Sequence, residues 1–142
     1  MILLDTNILT CIKQAAHPDY ARVTQQLIRY VEEDLDLIIC PQVLYEFYVV
    51  ATRPSTARSG LGLSGEEAIN AIQGFQQTFH FIDDPIGLFY TWRDLIEKYG
   101  TKGVAAHDTR LVAFMQAQRI TEIYTLNYAD FNPYKDIITI LT

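Results

Sequence analysis

The chain has 142 residues, of which 49% are hydrophobic and 20% charged, and its formal net charge is −6. That is the length and balance of one ordinary globular domain, and it excludes a disordered chain or a bundle of membrane spans. An acidic balance also argues against broad duplex binding driven by counterion release, which needs a basic surface.

The first apolar stretch, residues 2–4, is too short for a signal peptide or a transmembrane helix, and no basic leader precedes it. A cytoplasmic protein is expected. Cys11 and Cys40 are the only cysteines and lack the spacing of a redox or zinc motif, so both read as buried free thiols.

In chain order, residues 2–4 predict a strand, followed by a short helix from about Ile8 and a longer one over 20–33. Residues 37–40 predict a second strand, stopped by Pro41, and 43–52 a helix. The segment 53–65, RPSTARSGLGLSG, is a loop rich in Ser, Gly and basic residues. Ser64 and Glu67 have capping-box spacing for a helix over 65–78. A third strand is expected at 79–82. Asp84-Pro85 opens a helix to about Tyr99, with proline at the tolerated first position. Gly100 and Gly103 interrupt it, 107–118 is helical again, and 123–126 and 138–141 are strands four and five. Strands alternating with helices imply a mostly parallel sheet covered on both faces. In such sheets the working crevice lies beyond the carboxyl ends of the strands.

Acidic and amide side chains stand just past the apolar runs, at Asp5, Glu46, Asp108, Asn127 and Asp130. Only a fold that gathers strand ends brings them together. Carboxylates so gathered repel one another unless a cation intervenes, which points to a hard divalent metal and to hydrolysis of an anionic substrate. Each position has a plainer alternative. Asp5, Thr6 or Asn7 would cap a helix, and Asp108 would do the same for the helix at 107–118. Glu46, inside the apolar stretch VLYEFYVV, is costly to bury unless paired, or else lies on an exposed face. Asn127 and Asp130 suit Asx-turn chemistry. His107 fits a packing or supporting role better than that of a general base.

Taken together, the motifs LLDTNIL, VLYEFYVVATRP, GLGLS, VAAHDTRLVAFM and TLNYADF make the chain resemble, nearly end to end, the PIN-domain family. The likeness is specifically to the VapC-type toxins of prokaryotic toxin–antitoxin pairs. The resemblance implies one PIN-like domain over residues 1–142, folded as a three-layer α/β/α sandwich around a mostly parallel five-stranded sheet and often dimeric. It implies that Asp5, Glu46 and Asp108 hold Mg²⁺ or Mn²⁺ for the hydrolysis of RNA. Thr6, Asn7, Thr125, Asn127 and Asp130 would support them, and Arg53, Arg58 and Lys102 would meet the substrate backbone. Many members carry an acid where Asn127 stands; the amide removes one charge, and Asp130 then acts through water.

A small antitoxin is the implied partner, seated in an apolar groove around Ile12, Leu27, Tyr45 and Tyr48. Two other readings compete. A dehalogenase-type phosphatase wants a second Asp two residues after the first, where Asn7 stands instead. A PIN-like module that binds RNA or protein without cutting is the other, favoured by Asn127 and the acidic balance.

Overall fold

Three consecutive apolar residues bounded by a polar one make a strand buried on both faces, as Ile2–Leu4 and Leu37–Ile39 do here. The computed structural model describes residues 1–57 and 59–142. Its strands are β1 (Ile2–Leu4), β2 (Leu37–Ile39), β3 (His80–Phe81), β4 (Glu122–Tyr124) and β5 (Thr139–Leu141). They form one five-stranded, all-parallel sheet in the order β3-β2-β1-β4-β5. Leu3, at the centre, pairs with Ile38 on one side and Ile123 on the other.

The helices are α1 (Thr6–Ile12), α2 (Tyr20–Glu32), α3 (Pro41–Thr52), α4 (Gly65–Thr78), α5 (Leu88–Tyr99), α6 (Ala106–Gln118) and the single turn α7 (Tyr128–Phe131). Helix α1 packs on α2 and α3, α3 on α4, and α5 on α6. Parallel crossovers are right-handed, so the connections β1-β2 and β2-β3 place α1–α4 on one face. The return connection from β3 to β4 places α5 and α6 on the other. The result is the expected three-layer α/β/α sandwich. Among the described residues, no helix is long and apolar enough to cross a membrane.

Element boundaries differ from expectation where a polar residue does more than one job. Helix α1 starts at Thr6 rather than near Ile8, because Asp5 itself is its N-cap and accepts the Thr6 amide proton. Pro41 does not merely stop β2; it is the first residue of α3, with Cys40 as the cap, since its missing N–H costs nothing there. Helix α5 starts at Leu88, not at Asp84-Pro85. Residues 85–87 form a tight turn ending on Gly87, whose φ of 83° is left-handed and suits glycine. The polar turn after β4 is the one-turn helix α7.

In helix α6, Leu111 to Met115 are buried all round, because α5 covers the face that the sheet does not. The core also contains an edge-to-face pair, Phe47 on Phe75, with ring centroids 4.9 Å apart.

The capping box at α4 is present as expected: Ser64 Oγ accepts the Glu67 amide at 3.1 Å and Glu67 Oε2 accepts the Ser64 amide at 2.8 Å. Ser64→Ala should lower stability by about 1 kcal/mol. Thermal unfolding checks this, and an unchanged Tm would mean that the box contributes nothing to α4.

Candidate active site

In an open parallel sheet, a crevice forms where the strand order reverses. Here the first crossover leaves β1 toward β2 and the later strands return to its other side, so the reversal lies between β1 and β4. Asp5 follows β1 and Thr125 follows β4. The ladder runs on past both strands, with the Asp5 amide donating to the Tyr124 carbonyl at 3.0 Å and the Thr125 amide to that of Leu141 at 2.9 Å.

Asp5 is 7% exposed, and a carboxyl so deep must be satisfied by donors. Oδ1 accepts the Thr6 amide at 2.7 Å. Oδ2 accepts Asn7 Nδ2 and the Thr125 hydroxyl, each at 2.7 Å. The fully buried Thr125 oxygen accepts in turn from Asn7 Nδ2 and the Asn127 amide, both at 3.0 Å. Asn7 Oδ1 accepts the Leu126 amide at 2.9 Å, so this one side chain ties the end of β4 to the start of α1. Thr6 reaches across to α3, its hydroxyl donating to Glu46 Oε2 at 2.7 Å.

Glu46 and Asp108 are half-buried, on α3 and in the first turn of α6; Asp108 is not a helix cap, that position being Ala105. Asn127 Nδ2 donates to Asp130 Oδ2 at the exposed rim. Asp5, Glu46, Asp108 and Asp130 line one open cleft of about 570 Å³, together with Thr6, Asn7 and Asn127. Among the described residues none of the four carboxylates is in an ion pair.

The electrostatic consequences are visible in two of them. Burial pushes the Asp5 carboxyl up from 3.8 to about 6; hydrogen bonds from Thr125 and Thr6 oppose the shift, and the charges of Glu46 and Asp130 add to it. Burial also raises Asp108 from 3.8 to about 7, reinforced by the charges of Asp130, Asp5 and Glu46.

Hard oxygen donors, mutual repulsion and no cation among their described partners are what a divalent ion requires of a site. Among the described residues, no three acidic, imidazole or thiol groups already stand in a coordinating arrangement. Both oxygens of Asp5 and both of Glu46 are engaged by protein donors. The donor set therefore fits a divalent cation, in the form of an open acid-lined cleft rather than a closed cage.

Of the expected cations, Arg53 lines the cleft, Lys102 is exposed and does not, and Arg58 lies outside the described residues. Gln14 and His17, which were not among the expected site residues, form the wall of the cleft beyond α1. No spacing rule marks them, since they lie between α1 and α2 and are placed only by where α1 ends. Gln42, likewise not among the expected residues, donates to Glu46 Oε1 at 2.8 Å from one helical turn away, a spacing legible in the sequence.

The four residues expected to share an apolar groove do not. Ile12 and Leu27 line a groove of about 340 Å³ with Ile28 and Val31, whereas Tyr45 and Tyr48 line one of about 590 Å³ with Val49 and Ile69.

A family model described as the PIN domain matches residues 2–133. Among solved structures, the VapBC2 complex of Rickettsia felis bound to a promoter DNA fragment is similar at a TM-score of 0.71 and 20% identity, with 100% of both chains covered. FitAcB of Neisseria gonorrhoeae is similar at a TM-score of 0.66 and 18% identity, over 100% of this chain and 97% of that one. Mycobacterium tuberculosis VapC20, a toxin that cleaves the sarcin–ricin loop, is similar at 0.66 and 16% identity, over 93% of this chain and 94% of that one. At these identities the likeness is one of fold. No curated protein matches the chain in sequence.

A carboxyl whose folded pKa is raised contributes stability below its unfolded pKa and loses it as pH rises through the folded value. For Asp108 that window runs from about pH 4 to about 7. In metal-free protein, Asp108→Asn should therefore gain stability over wild type as pH goes from 5 to 8, by about 1–2 kcal/mol after damping by solvent. Denaturant unfolding at both pH values measures the difference; a gap that does not grow with pH would mean that Asp108 is not electrostatically stressed.

Proposed function

The chain belongs to the PIN-domain family, and on that premise we propose that it is a metal-dependent endoribonuclease, the toxin of a toxin–antitoxin pair. The observation that supports this reading most is the convergence of four carboxyl groups on one open cleft at the switch point of the sheet, with no cation paired to them among the described residues. In this reading Asp5, Glu46 and Asp108 hold one or two Mg²⁺ or Mn²⁺ ions. A bound divalent ion supplies positive charge to the phosphoryl oxygen and lowers the pKa of the water that attacks in line.

The chain's own residues do the rest. Asn7 and Thr125 hold the Asp5 carboxylate in one orientation by two hydrogen bonds of 2.7 Å to its Oδ2, and Thr6 aims Glu46. Asn127 and Asp130, joined at the rim, orient water there. Arg53 meets the substrate's phosphodiester backbone, and Arg58 and Lys102 add positive charge for the same substrate.

The groove beneath Tyr45, Tyr48 and Val49 runs beside the cleft, since Tyr45 and Val49 also border a smaller hollow shared with Glu46 and Arg53. A helix of a small antitoxin seated there would deliver a basic side chain to the acids and block the cation. Ile12 and Leu27 belong to a separate groove and are not part of that seat. Exposed Ile86, Phe89 and Tyr90 around the start of α5 support a homodimer. The free thiols of Cys11 and Cys40 agree with action in the reducing cytoplasm.

The second reading, a binding module without cleavage, is favoured by Asn127 at the position where a further acid is common. Labelled single-stranded and structured RNAs, incubated with purified protein and Mg²⁺ or Mn²⁺, decide between the two. Cleavage should require the metal, stop with EDTA, and fall about a hundredfold or more in Asp5→Asn. Full activity in a folded Asp5→Asn protein would sink the assignment. Weak Mn²⁺ binding with no cleavage would favour the module. Arg53→Gln should weaken RNA binding and reduce the slope of log K against log salt by about 0.7, as expected for one lost phosphate contact on a single strand; an unchanged slope would remove Arg53 from the substrate path.

A further inference from the structure

Between the two helical layers lies a buried side chain with no part in the proposed chemistry. Gln42 is 5% exposed, in the first turn of α3 and one turn ahead of Glu46. Its amide group donates to two acceptors, Glu46 Oε1 at 2.8 Å and the His107 carbonyl at 2.8 Å. Its own oxygen accepts from Arg110 Nη1 at 2.9 Å, and Arg110 pairs through Nη2 with Asp84 just ahead of α5.

A guanidinium only donates, whereas a carboxylate and a carbonyl only accept, so all three partners agree on which way round the Gln42 amide sits. The oxygen must face Arg110, and both N–H groups are left for Glu46 and the His107 carbonyl.

The consequence is geometric. Glu46 belongs to the layer of α1–α4, and Asp108 to the layer of α5 and α6. The sheet separates those layers except at its carboxyl edge, where Gln42 spans from Glu46 to the residue preceding Asp108. Glu46 is then held at both oxygens, by Thr6 at 2.7 Å and by Gln42 at 2.8 Å. We infer that Gln42, oriented by Arg110 and Asp84, is a positioning residue that sets the separation of Glu46 and Asp108 and thereby the divalent-cation affinity of the cleft. The inference rests on the reading of those two acids as metal-holding groups. Groups that orient metal ligands through hydrogen bonds typically change metal affinity by about 10–100-fold when removed.

Calorimetric titration of the metal-free full chain with Mn²⁺, without RNA, tests it. Gln42→Met keeps the length of the side chain and removes the donors and the acceptor. It should bind Mn²⁺ about 10–100-fold more weakly than wild type while remaining folded by circular dichroism. Arg110→Met, which removes the donor that anchors the Gln42 oxygen, should move affinity in the same direction. The double variant should be no weaker than Gln42→Met alone, because both act through one contact. A role confined to packing would lower Tm without changing Mn²⁺ affinity, so a folded Gln42→Met with wild-type affinity overturns the inference.

Should Gln42→Met fail to fold, Arg110→Met carries the test, since its side chain is 32% exposed; wild-type affinity there overturns the inference equally. Glu46→Gln and Asp108→Asn separate this failure from failure of the underlying reading. If both bind Mn²⁺ as wild type does, or if wild type binds none, the acids do not hold the ion and the inference falls with them. If both bind weakly and Gln42→Met is unaffected, only the positioning role is wrong.

Discussion

A carboxylate can be buried only where donors surround it, and Asp5 is the point at which this protein meets that condition. Its donors come from α1 and from the far side of the sheet reversal: the Thr6 amide, the Asn7 side chain and the Thr125 hydroxyl. The same residue ends β1 and starts α1. One buried group therefore closes the strand, opens the helix and locks β4 alongside β1. The knot is directional, because Thr125 can give its single proton to Asp5 only while accepting from Asn7 and Asn127.

Around that knot the fold concentrates negative charge. Glu46 arrives on α3, Asp108 on α6 and Asp130 on α7, so three elements that contribute little else to the crevice each add a carboxylate. Water in an open cleft moderates the repulsion without abolishing it, and the repulsion adds to the burial that displaces the Asp5 and Asp108 carboxyls upward. A protein selected for stability alone would not retain this arrangement, since apolar or amide residues at the same positions would remove the repulsion. Strain of this kind collects where a ligand relieves it.

The cleft also sits at the seam between the two helical layers, which meet directly only beyond the sheet's edge. Thr6 joins α1 to α3, and Gln42 with Arg110 joins α3 to α6. Acids on separate elements acquire a defined separation through such ties, rather than from the rigidity of any one helix. The outer face of α3 is different in character. Tyr45 and Val49 are exposed and border both the apolar groove and the hollow beside Glu46. One helix therefore presents an acid to the cleft and an apolar strip to the surface within five residues.

Much of this was legible in the sequence, because it depends on local pattern. Runs such as ILL and LII mark buried parallel strands, Ser64 with Glu67 marks a helix start, and an acid placed just past a strand falls at the carboxyl edge of the sheet. The acids could be named, and so could the sandwich, since alternation of strand and helix under right-handed crossovers leaves few topologies. What the sequence could not settle depends on neighbours distant along the chain. Asp5 is a cap and a cross-sheet anchor at once because Thr125, 120 residues away, donates to it. Leu111 to Met115 are buried all round because α5 lies over them. Ile12 and Tyr45 fall into different grooves because α1 and α3 turn different faces outward. Gln42 looks like any polar residue in a helix until Arg110, 68 positions on, fixes the sense of its amide. Periodicity and capping act within a few residues and are written in the sequence; hydrogen-bond partners and the separation of charges are three-dimensional quantities, and packing alone determined them.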